Sequence, residues 1–134
     1  MFMAKYKFYT TPIINGLTAT GASQAIECRD FDEVVFTVIG EGLADGLIKF
    51  QACSVDSFPD FSAAASTSNI WDYVQTLNQN NGAAINGDTG LSFSGTAAIE
   101  QIKWNVAGAS YVGVKIDTYN SGTFTVYITL VNYN

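Results

Sequence analysis

The chain has 134 residues, the size of one ordinary domain, of which 48% are hydrophobic and only 13% charged, so disorder is excluded by its hydrophobicity. Twelve acids against six bases leave a net charge of −6, and the one local basic excess is Lys5 with Lys7, which argues against nucleic acid as a partner. There is no histidine, which removes the Ser-His-Asp and Cys-His catalytic arrangements and the common histidine-bearing zinc sites.

From the N-terminus, Met3 to Tyr9 reads as a strand, and residues 1–12 are set apart as an N-terminal arm or first edge strand ahead of a single domain over 13–134. Gln24 to Cys28 is a short candidate strand. Glu33 to Ile39 is apolar on both faces, with Val34, Phe36 and Val38 on one and Val35, Thr37 and Ile39 on the other, the pattern of a central strand. Leu47 to Val55 places Ile48, Phe50 and Ala52 on one face and Lys49, Gln51 and Cys53 on the other. Phe61 to Ser68 has alanines enough for one helical turn after Pro59, but its serines and threonine favour a loop.

Trp71 to Leu77 and Leu91 to Phe93 are shorter candidates. In Ala98 to Val106, the residues Ala98, Ile102, Trp104 and Val106 fall in one phase. Tyr111 to Thr118 turns Val112, Val114 and Ile116 inward and Lys115 and Asp117 outward. Gly122 to Asn132 is the clearest segment, because Phe124, Val126, Ile128 and Leu130 alternate with Thr123, Thr125, Tyr127 and Thr129. Between the runs lie turn residues at Gly40 to Gly42, Asp45 with Gly46, Asn80 to Gly82, Asn86 to Gly90, Gly108 to Ser110 and Asn120 to Gly122. The expectation is an all-β domain, a β-sandwich of jelly-roll type with eight or nine strands and little or no helix.

Cys28 and Cys53 lie in different candidate strands, and no apolar run follows the lysines of the first ten residues as a signal peptide would require. Two reduced, buried thiols are expected. No apolar stretch approaches the roughly 18 residues of a membrane span. No phosphate loop, dinucleotide fingerprint or nucleophile elbow is present, and the twelve carboxylates show no spacing that selects a glycosidase pair. Asn86 and Asp88 offer too few carboxylates for a calcium loop, so the reading is no enzyme, no metal and no cofactor.

What remains is contact surface. Tyr127 and Tyr133 point away from the Phe124 face of the last strand, and Lys5, Tyr6, Lys7 and Phe8 form an arm able to rest on a neighbour, so these six residues are the candidate interface. Trp71, Tyr73, Trp104, Tyr111 and Tyr119, with Tyr127 and Tyr133, also offer aromatic faces to sugars, although tryptophans inside strands more often belong to a core or an interface.

The run Pro59-Asp60-Phe61-Ser62-Ala63-Ala64, then Asn69-Ile70-Trp71-Asp72-Tyr73-Val74-Gln75, the loop Ile85-Asn86-Gly87-Asp88-Thr89-Gly90, Trp104, and the turn Thr118-Tyr119-Asn120-Ser121-Gly122-Thr123 give the chain its resemblance to small bacteriophage virion proteins. The likeness spans Phe58 to Val126; the first fifty residues match loosely, and Cys28 and Cys53 are not part of the pattern. The resemblance implies a capsid decoration or cement protein of β-sandwich fold, a homotrimer bound to the major capsid protein on the head exterior and made in the host cytoplasm. The alternative is a carbohydrate-binding module at a virion surface, contacting host glycans.

Overall fold

The computed structural model describes residues 5–133. They contain no helix and eleven strands: β1 Lys5–Phe8, β2 Ile14–Leu17, β3 Gly21–Ala22, β4 Ile26–Glu27, β5 Glu33–Cys53, β6 Asp72–Tyr73, β7 Thr76–Asn78, β8 Ala84–Ile85, β9 Leu91–Ser94, β10 Ala98–Asn105 and β11 Tyr111–Asn132. All belong to one antiparallel sheet, in which β5 and β11 run side by side along their whole length. The all-β expectation holds. The strand count does not, and Met3 and Ala4 of the first predicted strand lie outside the described residues.

Four predicted strands are two, which lowers the count, and the rise to eleven comes from the unpredicted β2, β3 and β8 and from the division of Trp71–Leu77 into β6 and β7. Glu33–Ile39 and Leu47–Val55 are halves of the 21-residue β5, and Tyr111–Thr118 and Gly122–Asn132 are halves of the 22-residue β11. The residues read as turns between them are irregularities inside the paired strands. Asp117 and Asn120 are extra residues on β11, and Gly42, Leu43 and Ala44 of β5 stand opposite Gly122 alone. Gly42 and Gly122 both have positive φ, at 70° and 79°, which lets the bulged segments turn sharply.

The bend folds the sheet onto itself. Phe36 and Phe50 are fourteen residues apart on one strand and would be separated by roughly 45 Å if it were straight. Their ring centroids are instead 5.0 Å apart. The two halves of β5 and β11 therefore face each other, and Val34, Val38, Ile48, Val112, Val114, Ile116, Phe124, Val126, Ile128 and Leu130 fill the space between, all essentially inaccessible. Full burial of each such side chain contributes about 1.5–3 kcal/mol, so this layer is the principal source of stability.

On one side of β5 lies β11; on the other, its first half pairs with β10 and its second with β9 and β6. β11 in turn carries β1 and β2 along its second half and β3 and β4 along its first.

Trp71–Leu77 splits into β6 and β7, whose inward residues are Thr76 and Asn78 while Leu77 is exposed. Gln51, expected on a solvent face, is fully buried, because the loop after β5 crosses over it. Its Nε2 donates to the Phe61 carbonyl at 2.9 Å. That loop has no helical turn; Asn69 holds it, accepting from Asp60 N at 2.8 Å through Oδ1 and donating to the Asp60 carbonyl at 2.9 Å through Nδ2. Cys28 and Cys53 are free and buried, and burial, with the Glu27 carboxylate adding to it, pushes the Cys28 thiol up to about 12.

Candidate interaction surface

Each half of the folded sheet has an outer face, and the residues proposed from sequence lie on the outer face of the first half or along its edge. Cross-strand partners point to the same side of a sheet. Tyr6 is opposite Val131 and Phe8 opposite Thr129, in the phase of Tyr127 and away from the core residues Leu130 and Ile128. Tyr6 and Phe8 are 57% and 70% exposed, and their rings stack at 5.7 Å with an interplanar angle of 18°. Tyr133 joins them at the sheet end, where its hydroxyl donates to Glu33 Oε1 at 3.2 Å. Partial desolvation and the Glu33 carboxylate hold that phenol above its usual range.

Lys7 differs from the expectation. It is opposite Leu130, so it leaves β1 on the other side, and its ammonium sits 5.1 Å from the centre of the Tyr9 ring. Lys5 begins the strand, paired with Asn132. The surface is thus aromatic on one side of the edge strand and basic on the other.

Two members of the same face were not recognised from sequence. Ile99 pairs with Ile39 and is 58% exposed, and Leu77 pairs with Lys103. Along the rows from Glu33 to Ile39 the charged side chains are Glu33 and Lys103, joined at 3.0 Å. The bond to Glu33 keeps the Lys103 ammonium charged to higher pH than usual. A chain of net charge −6 therefore carries a face that is locally neutral and rich in Tyr, Phe, Ile and Thr, the composition of contact surfaces.

The outer face of the second half is built differently. Lys49 and Lys115 are directly opposite each other, an unfavourable like-charge pair that Asp117 bridges, with Nζ to carboxylate distances of 2.9 Å and 3.6 Å. The hydroxyl of Tyr73 donates to the same carboxylate at 3.4 Å. The Lys49 hydrogen bond holds the Asp117 carboxyl below the usual carboxylate range. Since the folded-state value is the depressed one, the stabilisation is complete above the ordinary carboxylate range and drains away as pH falls through the folded value. Asp117→Asn is expected to cost about 1 kcal/mol at neutral pH and to flatten the acid side of the stability profile. Urea midpoints measured from about pH 7 to about pH 2 check this; identical acid limbs in the two proteins would contradict it.

The aromatic residues do not assemble into one sugar-stacking platform. Trp71 packs edge-on against Phe61 and Tyr73 and donates through Nε1 to the Ala63 carbonyl at 3.2 Å. Tyr111 meets Phe58, Tyr119 packs on the core residue Phe124, and Trp104 stands apart beside β7. Arg29 lies between the carboxylates of Glu27 and Asp56 and over the Tyr111 ring, an ion-pair cluster rather than an acid and a base flanking a bond. Asn86 Oδ1 is engaged by the backbone N–H groups of Asp88 and Thr89, at 2.9 Å and 3.2 Å, as a turn requires.

No protein-family profile matches the sequence. No curated protein matches it either. The fold, however, is similar to that of a solved structure, the SPBc2 prophage-derived protein YomS, with a TM-score of 0.67 at 15% identity over 98% of this chain and 97% of that one. The likeness runs through both halves of the bent sheet and establishes a shared fold.

Proposed function

We propose that this chain is a structural virion protein, a capsid decoration or cement protein that binds the assembled head and stabilises contacts between capsomers. The observation that carries the reading is the end-to-end likeness of fold to a prophage-derived protein. The neutral aromatic face supplies the means. In this reading the two facing halves of the bent sheet act as a rigid jelly-roll-like sandwich, three copies associate, and the face bearing Tyr6, Phe8, Tyr127 and Tyr133 is buried against the major capsid protein on the head exterior. Lys7, on the other side of β1, and Lys5 meet acidic groups of the same partner. The protein is made in the host cytoplasm, and it works through buried area multiplied by symmetry rather than through catalysis or a cofactor.

The test is co-sedimentation with emptied heads, combined with light scattering of the free protein. A trimer that saturates the heads is the expected result. The double variant Tyr6→Ser/Phe8→Ser is expected to lower occupancy at least tenfold, because aromatic anchors at the centre of an interface each contribute about 1–2 kcal/mol or more. Both side chains are exposed, so its melting temperature stays near that of the parent. A monomer at high micromolar concentration that leaves heads bare would sink the proposal.

A further inference from the structure

The β7–β10 ladder ends at Lys103 and Leu77, and beyond it the two strands part. A groove of about 390 Å³ lies elsewhere, beside Phe58, but the opening between these strands, at 280 Å³, has the richer chemistry. It is lined by Gln75, Thr76, Leu77, Lys103, Trp104 and Asn105 among others. Trp104 is half-buried there. Unlike Trp71 it makes no ring-to-ring contact, and its indole N–H has no hydrogen-bond partner among the described residues.

The polar groups around it are equally unengaged. Gln75 is exposed with a free amide, and Asn105 uses only its Oδ1, which accepts from Ala107 N at 2.9 Å, leaving its NH₂ available. Beneath them the hydroxyl of Thr76 is buried in the wall without a partner. The one charge, the Lys103 ammonium, is neutralised by Glu33 at 3.0 Å.

We infer that this groove is a binding site for a neutral saccharide. An indole edge or face packs against the apolar C–H surface of a pyranose ring, while the amides of Gln75 and Asn105 and the indole N–H satisfy ring hydroxyls. An anionic sugar gains nothing here, since the lysine is already paired and the chain as a whole is acidic. The inference does not depend on the virion reading, because it rests on the groove alone.

The experiment titrates the purified protein with neutral di- to hexasaccharides of glucose, galactose, mannose and N-acetylglucosamine, followed by tryptophan fluorescence and calorimetry. Saturable binding is expected, with the fluorescence change retained in Trp71→Phe. Trp104→Ala is expected to weaken binding at least tenfold, and Gln75→Ala several-fold. Trp104 packs against the core, so its loss can perturb folding; Gln75 is exposed, and its variant keeps the question answerable. No binding by any neutral sugar overturns the inference, and so does binding that survives both substitutions or that prefers sialylated or uronate-containing sugars.

Discussion

Gly122→Ala is expected to destabilise the protein by more than about 3 kcal/mol, a large share of the roughly 5–15 kcal/mol that holds a domain together. Two effects combine. The residue has φ of +79°, where an L side chain costs about 1 kcal/mol. A Cβ there would also lie 2.6 Å from Ala44 Cα, 2.6 Å from the Glu41 carbonyl oxygen and 2.7 Å from Ala44 N. All three are backbone atoms of the bulged segment of β5, which cannot retreat without breaking the ladder on either side. Gly82→Ala separates the two effects. Gly82 has φ of +74° with nothing within 4 Å, so it should lose only about 1 kcal/mol. Urea unfolding of both variants decides the matter, and equal losses would mean that Gly122 provides backbone freedom and not close approach.

The same bend shows what could be read in the sequence and what could not. Alternation in Tyr111–Thr118 and Gly122–Asn132 reports which side chains face a core, since that depends only on the period of an extended chain, and Val112, Val114, Phe124 and Ile128 are buried as expected, whereas Glu33–Ile39 is apolar on both faces and its period alone does not choose between them. Whether Gly40–Gly46 ends a strand or bends it is not a local property. Glycine and Asp-Gly pairs supply the same φ values to a hairpin and to a bulge, and the decision belongs to the pairing with β11, about eighty residues away in sequence. The strands β2, β3 and β8 are too short to show a period, and they exist because a partner strand offers its edge.

The surface follows the same division. Tyr127 was legible from phase, while Tyr6 and Phe8 were named only as part of the N-terminal arm. Ile99 was recoverable too, because it stands three residues before the buried Ile102 and so on the opposite face. Leu77 and Lys7 needed the register, and Gln51 needed knowledge of a loop that covers it.

That covering loop is the basis of the second large effect. Gly113→Ala should cost about 2–3 kcal/mol by overpacking alone, since its backbone does not have the positive φ that would add strain. The new Cβ would lie 2.5 Å and 2.7 Å from two carbons of the Phe61 ring and 2.9 Å from Ser23 Oγ. Neither neighbour is free to move. Ser23 Oγ donates to the Gln24 carbonyl and accepts from Val114 N, while Phe61 is 1% exposed and its carbonyl receives the Gln51 amide. Phe61→Ala by itself should cost about 3–5 kcal/mol through the cavity it leaves over the sheet. In the double variant the added methyl enters that cavity, so the combined loss should not exceed the loss from Phe61→Ala, a coupling of about 2 kcal/mol. Proteolysis within the 54–71 loop gives an independent reading, because each single variant lifts the strap from Gln51 and exposes its backbone. Losses that add to within about 0.5 kcal/mol would show that Gly113 is not what makes room for the ring, and that the loop is held by its own Asn69 hydrogen bonds instead.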